Sequence, residues 1–312
     1  MEFIPIAEES LGVRSVAAYL TTGDVNILLD PGISLAPKRY GLPPHPAEVE
    51  RAKQLRKELE QHVKDANILF ISHYHRDHYT VPYSSIYMAT DEKSYLRIYP
   101  EKKILMKAPH DLNYSQRTRY KELLKALEKV KCLKEHADGV ETVIGGTRIS
   151  VSKPLPHGPD NSKTGTVIAL TIEEDHKLVF APDIQGPMSE QTLNHLLKAK
   201  PQTLVLGGPP IYLTNAFTPE QLHLSKKNLL KILNIPTLET LVITHHALRQ
   251  ANWREELQEV FTEAKNKKIN ITTYAELLGR EEELLESIRN KLYKEHPPPR
   301  EYKQIFKHRE NI

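Results

Sequence analysis

Residues 66–83 read ANILFISHYHRDHYTVPY, a short apolar run followed at once by four side chains of metal-binding type. Ile68 to Ile71, bounded by Asn67 and Ser72, predict a buried strand. In extended backbone beyond it, His73 and His75 point to the same side and can reach one cation. If the chain then turns into a helix, Asp77 and His78 swing round toward a second cation. Imidazole and carboxylate donors suit zinc and its first-row neighbours.

Upstream, strands are expected at 15–21 and 25–29 around the turn at 22–24, the second ending at Asp30. Val49, Ala52, Leu55, Leu59 and Val63 lie on one stripe, so 46–64 predicts a helix. Downstream, strands are expected at 103–106, 141–144, 147–151, 167–172, 177–181, 203–206, 240–244 and 270–274. Helices are expected at 115–130, 188–198, 218–233, 252–264 and 275–293, the first with its charged face in solvent. The loop 153–165, rich in Pro and Gly, carries His157. Strands alternating with helices suggest two sheets between helix layers. Their ends deliver Asp30, the 73–78 cluster, Asp183 and the pair His245/His246. His45, His62, His110 and His136 show no ligand spacing and read as surface residues. The tail from His296 onward has little to bury and reads as an extension or a partner-facing arm.

Composition narrows the function classes. There are 43 Lys and Arg against 40 Asp and Glu, a net charge of +3, so charge alone does not indicate a nucleic-acid partner. Cys132 is the single cysteine, which rules out an internal disulfide and fits a reducing compartment. Residues 1–14 lack the apolar core of a signal peptide, and no apolar stretch reaches the ~20 residues of a membrane span. A soluble, cytoplasmic protein without a membrane partner is the expectation.

HYHRDH at 73–78 resembles the signature of the metallo-β-lactamase superfamily, and Asp30, His157, Asp183 and His245 follow the order of its other motifs. On ProHisGly at 156–158 and the paired histidines, the chain is most similar to an archaeal group of metal-dependent hydrolases. The resemblance implies an α/β fold, the four-layer αββα metallo-β-lactamase-like sandwich, and a binuclear metal centre. It implies one domain over 1–312, with helical insertions at about 36–65 and 113–135 and a C-terminal extension at about 281–312.

Carried over by motif, His73, His75 and His157 would hold the first metal. Asp77, His78 and His245 would hold the second, Asp183 would bridge both, and Asp30 would orient a ligand. Neighbouring side chains at a strand end point opposite ways, so one of His245 and His246 binds metal while the other meets substrate; His245 is favoured as ligand. The cofactors implied are two divalent ions, zinc first, with manganese or iron as alternatives. His246, Arg249, Lys163 and Tyr212 are the candidate substrate-binding residues.

The chemistry implied is attack on an ester by a hydroxide shared between the cations, with Asp77, Asp183 and Asp30 as the supporting carboxylates. Phosphoester or phosphodiester hydrolysis of a small molecule is the first expectation, because two cations offset charge on phosphate oxygens. A lactone or thioester hydrolase is the alternative, and an RNA/DNA nuclease or nucleic-acid-binding protein on the same fold is the third reading. The segment between Asp183 and His245 reads as core helices and strands rather than an inserted nuclease domain.

Overall fold

The computed structural model describes residues 1–160 and 164–307. Strands β1 (Glu2–Glu8), β2 (Val16–Thr21), β3 (Asn26–Leu29), β4 (Ile68–Ile71), β5 (Lys103–Met106) and β6 (Leu133–His136) form one sheet in that order. It is antiparallel from β1 to β3 and parallel from β3 to β6. The chain then makes β7 (Glu141–Ile144) and β8 (Thr147–Val151), a two-stranded ladder of β9 (Leu155–Pro156) with β10 (Thr166–Val167), and β11 (Leu170–Glu173). With β12 (Lys177–Ala181), β13 (Thr203–Gly207), β14 (Thr240–Thr244) and β15 (Asn270–Thr272) they build a seven-stranded sheet, β15-β14-β13-β12-β11-β8-β7. The strand expected at 167–172 is thus two, β10 and β11, in different ladders.

Alternation along the strands of the second sheet shows the layering. Phe180, Val205 and Val242 join the core that the first sheet builds, whereas Val179, Ala181, Leu204, Leu206, Leu241 and Ile243 join a separate core. The first core also holds α1 (Pro46–His62) through Val49, Ala52, Leu55 and Leu59, and α3 (Tyr114–Leu127) through Leu123 and Leu127; the short α2 (Ser94–Ile98) lies between them in sequence. The second core holds α4 (Glu190–Ala199), α5 (Pro219–Ile232), and, beyond the one-turn α6 (Trp253–Glu256), α7 (Gln258–Lys267). Phe70 meets Phe180 edge-on between the sheets, ring centroids 6.3 Å apart. Each such buried ring contributes roughly 1.5–3 kcal/mol by leaving water. The molecule is therefore a four-layer αββα sandwich.

Three local expectations are corrected. His45 is buried rather than exposed: its Nδ1 accepts from Ala47 N to cap α1, and its Nε2 meets His296 O at 2.8 Å. The helix expected at 275–293 is two short pieces, α8 (Tyr274–Leu277) and α9 (Arg289–Glu295). α8 stops at Gly279, whose φ of 65° lies in the left-handed region. The chain between them runs across the body so that Glu286 can pair with Arg14, and Arg289 at the start of α9 pairs with Glu48. Over its described residues, to 307, the tail beyond His296 is likewise packed rather than without anything to bury. Phe306 is buried in the first core and packs against Tyr87, centroids 5.5 Å apart.

Candidate metal centre

Parallel strands of both sheets end at one edge, and the ligand-type side chains sit just past those ends, as ligand sites do in open α/β sheets. Asp30 follows β3, residues 73–78 follow β4, Asp183 follows β12, and His245 and His246 follow β14; His157 follows β9. Past His75 the chain forms a turn, closed by His78 N donating to His75 O at 3.0 Å, not the helix expected. The turn suffices to put Asp77 and His78 in a different donor group from His73 and His75. Gly32 makes room for it: a Cβ there would stand 2.3 Å from Tyr79 N and 2.5 Å from His78 N.

Asp183 lies at the centre. Its Oδ2 is 2.6 Å from His157 Nε2, 3.0 Å from His73 Nε2 and 3.3 Å from His75 Nδ1. Its Oδ1 is 2.8 Å from His246 Nε2 and 3.5 Å from His245 Nε2. The donor atoms of His73, His75, His157 and Asp183 all lie within 4.8 Å of one another; so do those of Asp77, His78 and His245, and those of Asp183, His245 and His246.

Electrostatics follow from this crowding. Burial pushes the Asp183 carboxyl up, yet the imidazoles of His157, His245 and His246 hold it well below the usual carboxylate range. Burial, with His78 and His75 beside it, takes His73 well below its ordinary value, and burial takes His75 down to about 4. Both therefore stay neutral, the form that binds metal. His78 moves the other way, because Asp30, Asp183 and Asp77 outweigh its burial and raise it well above the ordinary value. That spot favours positive charge.

Behind the donors stand carboxylates that fix ring orientation. His78 Nδ1 donates to Asp30 Oδ2 at 2.7 Å, and Asp30 also accepts from Ser72 N and Oγ at 2.7 and 2.6 Å. His245 Nδ1 lies 3.0 Å from Glu9 Oε1, while Arg249 Nη2 lies 3.0 Å from His245 Nε2. The Glu9 carboxylate can only accept, so Nδ1 carries the proton and the Nε2 lone pair is left toward the cluster. His245 has φ of 62° and Asp30 has φ of 39°, left-handed conformations that cost energy for residues with a Cβ and gather at functional sites.

The donor set fits a divalent cation. His73 Nε2 and His78 Nε2 are buried and make no hydrogen bond. A buried polar atom left so costs about 1–3 kcal/mol, a penalty that a ligated cation removes.

The candidate substrate-binding residues have separate fates. His246 and Arg249 line a cavity of about 720 Å³ beside the cluster. Arg249 is tied down, Nε to Glu9 Oε1 at 2.8 Å and Nη1 to Tyr212 Oη at 3.0 Å. Tyr212 stacks on His246, rings 6.3 Å apart at 15°, and stands behind it rather than on the cavity wall. Lys163 falls outside the described residues. Sequence reasoning missed Glu9, which is 3% exposed and shares His245 and Arg249. No motif marks it, since its partners lie at the other end of the chain.

Layering and strand-end donors together define the class: the protein has the metallo-β-lactamase fold. A crystal structure of isothiocyanate hydrolase from Delia radicum gut bacteria superposes with a TM-score of 0.52, at 17% identity, over 88% of this chain and 95% of that one. No family model matches the chain. The UPF0282 protein of Pyrobaculum arsenaticum is 48% identical over 298 residues, 95% of each chain. That of Methanopyrus kandleri is 39% identical over 295 residues, 94% of this chain and 99% of its own. The chain belongs to the UPF0282 family.

Proposed function

We propose that the protein is a hydrolase dependent on two divalent cations, zinc first and manganese or iron as alternatives, that cleaves phosphoesters and above all phosphodiesters. The observation that supports this reading is the central place of Asp183, whose Oδ2 faces His73, His75 and His157, with His78 Nε2 at 3.5 Å, while its Oδ1 faces His245 and His246. His73, His75 and His157 would hold one cation, and Asp77, His78 and His245 the other, with Asp183 shared. When bound, such a pair supplies Lewis acidity, activates water and offsets charge on substrate oxygens.

The chain's own residues do the rest. Asp30 and Glu9 hold His78 and His245 in a fixed tautomer and direction. His246 lines the cavity and would meet the substrate. Arg14, Lys38, Arg76, Arg119 and Arg249 line the same cavity, whose carboxylates, Asp77 and Asp183, both belong to the donor cluster. The walls are thus cationic, which favours an anionic ester over a lactone or thioester. A volume of about 720 Å³ suits one small ester, so an RNA or DNA strand ranks behind it.

The test is metal content of the purified protein together with kcat/KM on a bis-aryl phosphate, a lactone, a thioester and RNA. Two metal equivalents and the highest ratio on the phosphate ester are expected. Preference for the lactone or thioester overturns the substrate class. Hydrolysis that chelation leaves untouched overturns the reading itself.

A further inference from the structure

The cavity has a second wall that the metal centre does not use. Arg119 comes from α3, Arg76 from the turn between His75 and Asp77, and Tyr83 from the loop that follows; all three line the cavity. Of the other wall cations, Arg14 and Arg249 are matched by carboxylates, the first by Glu286 through two nitrogens at 2.6 Å and the second by Glu9. Arg119 is different. Its Nη1 donates to Tyr74 O at 3.3 Å, and it forms no ion pair among the described residues.

Tyr83 points the same way. Its hydroxyl is buried and makes no hydrogen bond, and the Arg76 guanidinium stands 6.0 Å from the centre of its ring. Burial pushes the pKa of that hydroxyl up and keeps it protonated, while Arg76, then Glu122 and then Arg119 act on it electrostatically, the carboxylate against the two guanidiniums. A cation with no ion pair among the described residues, a second guanidinium and an unsatisfied O–H donor line the same cavity. Their common complement is a tetrahedral oxyanion, to which a guanidinium fork donates twice and a phenol once.

We infer that Arg119, Tyr83 and Arg76 form a phosphoryl-binding subsite, so that the substrate is an ester carrying a second phosphate besides the group that is cleaved. The cleaved group rests on the hydrolase reading above; the subsite rests on the wall alone.

The test uses the full chain, with its metals and again after chelation, and titrates inorganic phosphate and, separately, acetate by calorimetry. Phosphate binding should survive chelation. It should weaken about tenfold or more in Arg119→Gln, as expected for a lost charge-assisted hydrogen bond, and severalfold in Tyr83→Phe. Lys125→Gln, an exposed position on the same helix, should leave it unchanged. Tyr83→Phe keeps the ring, so a fold defect cannot imitate its effect. Phosphate binding that disappears on chelation, or that both wall variants retain, overturns the subsite. Acetate binding as tightly as phosphate makes the second group a carboxylate and overturns the phosphoryl assignment. Loss of phosphate binding in both variants, in a protein that hydrolyses none of the esters, would uphold the subsite and sink the hydrolase reading instead.

Discussion

Glu9 Oε1 lies 3.0 Å from His245 Nδ1 although the two residues are 236 positions apart in the chain. The 3-10 turn after β1 and the turn after β14 meet there, and Glu9 also accepts from Arg249 Nε at 2.8 Å. The contact does for His245 what Asp30 does for His78: it puts the proton on Nδ1 and turns Nε2 toward Asp77 and Asp183.

Glu9→Gln keeps the shape of the side chain and removes its charge. If the protein holds the two cations proposed above, metal affinity should fall about 10–100-fold at the one His245 would hold, the usual effect of altering a group behind a metal ligand. Competition with a chromophoric chelator would resolve the weakened site from the intact one. Equal affinities in variant and wild type would detach Glu9 from the centre.

His245→Ala and His246→Ala separate ligand from substrate contact. Both rings line the cavity, but Glu9 stands behind His245 as a carboxylate behind a metal ligand does, whereas His246 stacks on Tyr212. His245→Ala should lose one metal equivalent. His246→Ala should keep both and change KM or kcat. Metal analysis showing the reverse would exchange the two assignments.

Gly32→Ala tests how closely the loop after β3 must approach the ligand turn. The added Cβ would meet backbone, Tyr79 N at 2.3 Å and His78 N at 2.5 Å, and backbone cannot swing aside as a side chain does. A loss of about 1–3 kcal/mol, the usual range for forcing extra atoms into a packed site, is expected together with reduced metal content. Thermal unfolding and metal analysis of the same sample check both. Unchanged metal content would mean that the turn tolerates the shift.

What the sequence made legible follows from short-range physics. The run Ile68–Ile71 is apolar on both faces because its strand is central, with β3 and β5 on either side, and donors placed just past a strand end need no long-range information. Asp30, Asp183 and His245 were accessible in the same way. Glu9 was not, since nothing within its own segment marks a carboxylate that serves a histidine 236 positions away. The break near Gly279 was hidden because the charges after it look solvent-facing, yet Glu286 and Arg289 are buried against Arg14 and Glu48. On α3, periodicity finds Leu123 and Leu127 but cannot tell that Arg119, on the polar side, borders a cavity instead of open water.

Acid should loosen the C-terminal segment before the rest. Burial raises the Glu286 carboxyl, but Arg14 first, then Arg249 and Arg289, hold it at about 2 against an ordinary 4.5. A depressed carboxylate pKa stabilises the fold fully above the unfolded value, and that contribution is lost as pH falls from about 4.5 toward 2. The shift corresponds to roughly 3 kcal/mol. Glu286→Gln should therefore be less stable than wild type at neutral pH by about that amount, with the gap closing in acid. Urea midpoints of both proteins at about pH 7, 5 and 3 supply the comparison. A gap that stays constant across that range would assign the loss to packing around Arg14, not to the ion pair that ties the segment to the cavity wall.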